Sequence, residues 1–247
     1  MTRSLRIALL SSLGALALAG CGDSKTDPAK EQSVIAKVAA PANKSWSATV
    51  SRTAEGGYVM GNPDASIKII EFASLTCPHC AEFSKESHEE IKRDFIDTGR
   101  VSLEVRNFVR DPLDATAAAV VHCVPEDRFY PLLENVFASQ EELYAGVKGN
   151  EGAAEAAMKL PPAQRFPALA KALKIDQYFQ SRGISAEQIN ACLGKVENIT
   201  TLEQNTNAAI EKYQVQGTPT FLINGQVAEG VATWPLLRDR LRTMGAR

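Results

Sequence analysis

Two cysteines separated by two residues, Cys77 and Cys80, lie between a predicted buried strand and a predicted helix. The strand is the β-branched, mostly apolar run Ile67–Phe72, which follows the turn sequence Gly-Asn-Pro-Asp. From Pro78 onward, buried-type residues recur every three or four positions, which predicts a helix that ends near Gly99. The next segment, "VSLEVRNFV", alternates like a second strand. The sequence therefore predicts a β-α-β unit with both cysteines at its first strand–helix junction.

This position predicts an acidic thiol at Cys77. If Cys77 is the N-cap, Pro78 falls at the first helical position, where its missing N–H costs nothing. The free N–H groups of His79 and Cys80 then point toward the Cys77 sulfur, and the helix dipole and a protonated His79 add positive charge. We expect a strongly lowered Cys77 pKa and a less accessible Cys80. A disulfide with such a stable leaving thiolate oxidises other thiols.

Two other interpretations of the cysteine pair were weighed. A zinc site would need two further ligands, usually in a second close pair. The sequence has no such pair, and His79, His88 and His122 have no ligand spacing, so we expect no metal. A purely structural bridge would close a loop of only four residues and would remove little chain entropy. The pattern favours a redox-active dithiol, with no cofactor.

The chain begins with a predicted export signal. A basic start, an apolar run of about a dozen residues and then small residues predict a signal peptide over residues 1–20, and a membrane span would need roughly 20 apolar residues. The sequence Leu18-Ala19-Gly20-Cys21 resembles the lipobox of bacterial lipoproteins, in which the cysteine is lipidated. The alternative is ordinary cleavage that leaves Cys21 a free thiol. The predicted location is the periplasm, with a lipid anchor in either envelope membrane.

Residues 21–56 are predicted to be an N-terminal tether, because the first part of this range is rich in Lys, Ala, Ser and Pro and poor in large apolar residues. The whole chain of 247 residues is 45% hydrophobic and 23% charged, which is typical of a globular protein. Its net charge is −2 and it has no block of basic residues, which argues against nucleic-acid binding.

After Asp111-Pro112 the pattern becomes helical and carries no strand signal. The predicted helices of this block lie at 114–123, 126–141, 151–159, 163–173 and 185–194. A further helix, 196–213, precedes "TPTFLINGQVAEG", in which Asn224-Gly225 predicts a hairpin turn. The amphipathic segment Trp234–Met244 is expected to cover that hairpin.

The remaining cysteines predict one more bridge. Without Cys21, four cysteines allow three pairings. The two-residue spacing favours Cys77 with Cys80, which leaves Cys123 to pair with Cys192. A bridge across roughly 70 residues would contribute about 4 kcal/mol in the chain-entropy model. The alternative is a second redox couple.

Three features together resemble the DsbA-like thiol:disulfide oxidoreductases of the thioredoxin superfamily. They are "CPHC" between a strand and a helix, "TPTF" near the C-terminus, and the helical block between them. The resemblance covers the chain from about residue 57 to its end. It implies an α/β, thioredoxin-like fold with an inserted all-helical domain. The thioredoxin-like domain would comprise 57–111 plus 196–247, and the helical insertion 112–195.

The resemblance also implies roles for individual residues. Cys77 would be the nucleophile and Cys80 its partner. Thr218-Pro219 looks like the family's cis-proline loop, which binds substrate backbone, and Glu71 like its buried acid, which moves protons to and from the second cysteine. The alternatives are an ordinary turn proline and a solvated strand end. Thr218 differs from the valine of the best-known oxidase and is closer to related isomerases, which leaves the substrate preference open.

The function implied is oxidation of cysteine pairs in exported proteins by a monomeric enzyme. A quinone-linked membrane protein of the DsbB type would reoxidise it. One alternative is a disulfide isomerase or reductase kept reduced by a membrane reductant. A non-enzymatic alternative is a metal-binding or client-binding lipoprotein.

Overall fold

The computed structural model describes residues 33–247. The predicted signal peptide, Cys21 and the first part of the predicted tether lie outside the described residues. The strands are β1 Val50–Arg52, β2 Tyr58–Gly61, β3 Ile67–Ala73, β4 Val101–Asn107, β5 Thr220–Ile223 and β6 Gln226–Val227. The α-helices are α1 Pro78–Glu90, α2 Pro112–His122, α3 Glu126–Ala138, α4 Gln140–Ala145, α5 Glu151–Met158, α6 Pro162–Ala172, α7 Ile175–Gln180, α8 Ala186–Leu193, α9 Val196–Tyr213 and α10 Trp234–Thr243.

The strands form a mixed sheet in the order β1-β2-β4-β3-β5-β6, in which β3 and β4 are parallel. The predicted β-α-β unit is confirmed: α1, extended by a π-helical segment at Ile91–Ile96, crosses from β3 to β4. The predicted hairpin is confirmed as well. Asn224 and Gly225 join β5 to β6 with φ values of 51° and 83°. Positive φ at both positions is what a two-residue turn of this type requires.

Alternate residues of β3 face the two layers of the fold. Ile69 and Ala73 belong to the large core beneath α1 and α3, whereas Phe72 packs in a smaller cluster with Ala209 of α9. Glu71 lies between Val105 of β4 and Phe221 of β5 in the register. Because side chains alternate along a strand, Glu71 projects from the α1 face. An ionisable side chain is thus placed in the centre of the apolar core.

Seven helices, α2 to α8, fill the chain between β4 and α9. This confirms a thioredoxin-like fold with a helical insertion. The predicted helix 126–141 is two helices, because Ser139 leaves the helical conformation with φ −122° and ψ 31°. Helix α7 was missed. It has six residues and begins after Lys174, which has φ 56° and provides no capping signal.

The prediction that residues 33–56 belong to a tether is wrong. Strand β1 extends the sheet by pairing with β2. The Trp46 side chain is buried, and its Nε1 donates to the Val38 carbonyl at 2.8 Å, while the Val38 N–H donates to Thr98 at 2.9 Å. The composition concealed this, because a few spaced apolar residues and backbone hydrogen bonds hold the segment.

The predicted bridge between Cys123 and Cys192 is present, with the two Cα atoms 6.2 Å apart. It joins the end of α2 to α8 inside the helical insertion. The Asn198 side chain at the start of α9 donates to the Cys192 carbonyl at 2.8 Å. The bridge therefore lies where the insertion meets α9.

Candidate redox site

Cys77 lies between the end of β3 and the start of α1. It is the N-cap of the helix, with extended backbone angles of φ −93° and ψ 118°, and Pro78 occupies the first turn as predicted. Both Cys77 and Cys80 are free thiols and both are buried. The Cys77 Sγ donates to the carbonyl oxygen of Thr218 at 3.2 Å.

The pKa of Cys77 is lowered to about 4. The largest cause is a hydrogen bond from the Cys80 side chain; burial opposes it, and the Thr218 side chain and the backbone N–H groups of Cys80 and His79 lower the pKa further. The His79 ring was expected to contribute its charge, but it is 75% exposed and lies 3.6 Å from a Glu82 oxygen. His79 therefore acts through its backbone. The first turn of α1 stabilises a thiolate mainly by hydrogen bonding.

Cys80 behaves in the opposite way. It is fully buried, and burial is the largest cause that raises its pKa well above the ordinary value. Its hydrogen bond to Cys77 and the charge of Glu71 raise the pKa further. At neutral pH the reduced pair therefore consists of a Cys77 thiolate and a Cys80 thiol that donates to it.

The loop before β5 lies against the Cys77 sulfur. The peptide bond between Thr218 and Pro219 is cis, as expected from the resemblance. The Thr218 carbonyl accepts from the Cys77 thiol. In the part of the chain that the structure describes, the buried Thr218 Oγ1 has no hydrogen-bond partner in this geometry. The same hydroxyl is available to donate to a thiolate, which agrees with its lowering of the Cys77 pKa.

Glu71 is a buried acid, and the alternative of a solvated strand end is wrong. Its side chain is 4% exposed. Burial raises its pKa to about 8, and the nearby charge of Cys77 adds to the effect. Its Oε1 atom has no hydrogen-bond partner among the described residues. The carboxyl group is thus largely protonated at neutral pH and can exchange a proton with its surroundings.

The helical insertion holds the segment before Cys77 through a buried carboxylate that the sequence analysis missed. The Asp114 side chain accepts from the Ser74 hydroxyl at 2.6 Å, the Leu75 N–H at 2.9 Å and the Arg110 N–H at 3.0 Å. Asp114 was visible only as part of a helix start, because its partners are far away in sequence.

Helix α4 holds the same segment from another side. Gln140 Nε2 donates to the carbonyls of Leu75 and Cys77, at 2.8 and 3.0 Å. The Tyr144 hydroxyl donates to the Thr76 carbonyl at 2.6 Å. Beside Tyr144, an open and mostly apolar cavity of about 390 Å³ runs along the insertion, lined also by Leu113. The insertion therefore fixes the thiol's backbone and offers an apolar surface next to it.

Two absences concern residues 33–247 alone. In that part of the chain, His, Cys, Asp and Glu side chains nowhere form a group of three that could hold a metal ion. The same part contains no helix with the length and apolar character needed to span a bilayer.

Comparisons with known proteins agree with this geometry. A family model described as thioredoxin matches residues 53–241. A provisionally named protein-disulfide oxidoreductase of Rickettsia conorii is 27% identical over 69% of this chain, and the match covers 54% of that protein. The chain thus spans little more than half the length of this relative. Disulfide bond formation protein D of Bacillus subtilis is 26% identical, with 76% of each chain covered.

Solved structures extend the comparison. A protein-disulfide isomerase from Novosphingobium aromaticivorans is 34% identical with a TM-score of 0.69, and the match covers 74% of this chain and 94% of that one. The alpha-DsbA1 protein of Wolbachia pipientis has a TM-score of 0.62 at 20% identity, covering 78% and 93%. At that identity the second likeness concerns the fold alone.

Proposed function

This chain belongs to the thioredoxin family as a DsbA-like member, and from that premise we propose that it is a thiol:disulfide oxidoreductase that introduces disulfide bonds into exported proteins. The observation that carries the proposal is the Cys77–Cys80 pair, in which a thiolate with a pKa of about 4 accepts a hydrogen bond from a buried thiol. A stable thiolate is a good leaving group, so the disulfide form is a strong oxidant.

The reaction runs in two exchanges. A substrate thiolate attacks Cys77 Sγ of the oxidised pair, the bond to Cys80 breaks, and the electron pair goes to Cys80 Sγ, which takes a proton from Glu71. A second substrate thiolate then attacks the substrate sulfur of the mixed disulfide. The substrate disulfide forms and Cys77 leaves as a thiolate. The two electrons of the substrate dithiol now reside on the enzyme.

Substrate binding is assigned to the two surfaces that meet at Cys77. The Thr218-Pro219 loop would bind the backbone of the substrate beside the mixed disulfide, as the family resemblance implies. The helical insertion, residues 112–195, would receive apolar side chains of the substrate in the cavity beside Tyr144. Unfolded exported proteins offer such side chains near their cysteines.

Reoxidation and location follow from the export-type start of the chain. We assign the protein to the periplasm, anchored by a lipid on Cys21, as a monomer that a DsbB-like membrane quinone reductase reoxidises. The Cys123–Cys192 bridge is assigned a structural role, because it lies away from the start of α1 and inside the insertion.

Trapping the mixed disulfide tests the proposal directly. The oxidised protein should oxidise a reduced, unfolded protein that carries a cysteine pair. Cys80→Ser should accumulate a mixed disulfide through Cys77, because the resolving thiol is absent. Cys77→Ser should neither oxidise the substrate nor form the mixed disulfide. Oxidation by Cys77→Ser at the parental rate would contradict the assignment of the nucleophile.

A second candidate function is disulfide isomerisation. It is favoured by the 34% identity to a protein named a protein-disulfide isomerase and by Thr218 before the cis-proline. The reduced protein would then restore activity to a substrate with scrambled disulfides, whereas an oxidase acts only in its oxidised form on reduced substrate. Comparing the two assays on the same preparation separates the two functions.

A further inference from the structure

A small internal cavity lies between the centre of the sheet and helices α1 and α3. Its volume is about 30 Å³, which gives room for one or two water molecules. Glu71 lines it from β3, Ser84 and Ser87 from α1, and Tyr130 from α3. The buried Glu71 Oε1, which has no partner among the described residues, belongs to this lining. A buried carboxyl oxygen without a protein partner is a position where bound water is expected.

A cluster of charged side chains closes the outer end of this cavity. Glu134 Oε1 lies 2.7 Å from Lys92 Nζ and 3.1 Å from His88 Nδ1. All three side chains line the internal cavity. A second, open cavity of about 400 Å³ is lined from outside by Ser84, His88 and Glu134. The two cavities share these residues, so the cluster stands between the interior and the solvent.

The chemistry at Cys80 needs such a connection. Cys80 attacks a mixed disulfide only as a thiolate, and burial raises its pKa well above the ordinary value. Glu71, its acceptor, has a pKa of about 8 and holds a proton of its own at neutral pH. Before Cys80 can react, one proton must leave this pair for the solvent, yet both side chains are buried.

We propose that the cavity between α1, α3 and the sheet is a water-filled proton path that connects Glu71 to the solvent, with Glu134 as the residue through which protons enter and leave. The proposal rests on the proposed function and adds to it. During reoxidation Cys80 gives its proton to Glu71, the path carries one proton out, and the Cys80 thiolate attacks the Cys77 sulfur of the mixed disulfide. The partner's sulfur leaves with the electron pair. During substrate oxidation the proton moves inward.

The other ionisable groups around the cavity are less suited to this role. The Tyr130 hydroxyl is held by the carbonyls of Tyr58 and Leu103, at 2.7 and 2.6 Å, and burial raises its pKa well above the usual range. Glu104 of β4 is paired with Arg106 at 2.7 Å. The other titratable or charged groups around the path are Cys77 and Cys80 in the first turn of α1, His88 on the same helix, and Lys92 in the following segment. Glu134 is the common partner of His88 and Lys92 and is 20% exposed.

The test follows Cys80 separately from Cys77. The reduced full chain with Cys21→Ser is mixed with Ellman's reagent. Cys77 releases one thionitrobenzoate in a first phase, and attack by Cys80 on the mixed disulfide releases another in a second phase. Rates are measured at pH values below and above the Glu71 pKa of about 8. In Glu134→Gln the second phase should slow about tenfold below that pKa and return to the parental rate above it, where Glu71 has already lost its proton.

Glu89→Gln is the matched control. Glu89 Oε1 contacts the same histidine, His88, at 3.2 Å, but Glu89 lines neither cavity. Both phases should keep their parental rates. Glu134→Asp retains an ionisable group and should keep most of the second-phase rate. In a Glu71→Gln background, adding Glu134→Gln should cause no further slowing, because the two residues act on one proton.

Each outcome bears on one level of the account. Equal slowing of the second phase by Glu134→Gln at every pH, equal slowing by Glu134→Asp, or additive slowing with Glu71→Gln would overturn the proton path. If the parental protein released no second thionitrobenzoate, the Cys77–Cys80 exchange itself would fail, and with it the proposed function. Thermal unfolding of each variant identifies any that do not fold; in that case the Glu134→Asp result decides.

Discussion

The Cys77 Sγ atom lies 3.2 Å from the carbonyl oxygen of Thr218, although the two residues are 141 positions apart in the sequence. Two elements thus converge on one sulfur: the first turn of α1 and the loop that ends at the cis-proline. The helix supplies backbone N–H groups and the Cys80 thiol, and the loop supplies the Thr218 hydroxyl. The acidity of Cys77 is therefore a property of the tertiary fold as well as of the Cys-x-x-Cys sequence.

The Thr218 hydroxyl should be measurable in the Cys77 pKa. Thr218→Val keeps the side-chain shape but removes a donor to the thiolate, so the pKa should rise by about one unit, the equivalent of one hydrogen bond to a charged group. The ultraviolet absorbance of the thiolate as a function of pH reports this directly. Thr220→Val is the control, since the Thr220 hydroxyl donates to the Gly217 carbonyl. An unchanged pKa in Thr218→Val would show that the loop acts only through its backbone.

Glu71 should destabilise the reduced protein in a defined pH window. Its folded pKa of about 8 exceeds the ordinary 4.5, so the stability of the protein with neutral Glu71 is fully present below pH 4.5 and is lost as the pH rises through about 8. Glu71→Gln does not titrate. Its unfolding free energy should therefore gain on the parental protein by about 1.4 kcal/mol per pH unit within the window. Urea unfolding at several pH values measures this, and parallel stability profiles would contradict it.

The Cys123–Cys192 bridge should matter for stability and not for exchange. Cys123→Ala/Cys192→Ala should lower the unfolding free energy by about 4 kcal/mol. Both phases of the Ellman reaction at Cys77 and Cys80 should keep their parental rates. Loss of substrate oxidation by a variant that remains folded would instead indicate a second redox couple.

The packed N-terminal segment should contribute to stability. Trp46 is 8% exposed, so Trp46→Ala should cost about 3–5 kcal/mol of unfolding free energy. Val34→Ala, at a side chain that is 54% exposed, should cost little. Equal stability of the two variants would mean that the segment detaches in solution, as a tether would.

Local patterns predicted the centre of the fold well. The apolar run of β3, the helix after Cys77 and the Asn224-Gly225 turn each carry a strong short-range signal, and the structure contains all three. Strand β1 and the packing of Trp46 were missed, because their partners are backbone groups and distant residues. Composition alone reports neither.

The same limit applies to the site. The acidity of Cys77 could be predicted from its place at a helix start, and the family resemblance pointed to Glu71. The hydrogen bonds from Asp114, Gln140 and Tyr144 to the segment before Cys77 could not be predicted, because they cross from the helical insertion to the sheet. The cavity that Glu71 shares with Glu134 likewise exists only once α1 and α3 have packed.

The reduction potential of the Cys77–Cys80 pair tests the central claim most directly. It should be measured on the Cys21→Ser chain by equilibration in glutathione buffers. A Cys77 thiolate with a pKa of about 4 predicts a strongly oxidising pair, nearer to about −120 mV, as in DsbA, than to the about −270 mV of thioredoxin. A value near that of thioredoxin would contradict the account and would make the protein a reductant of disulfides.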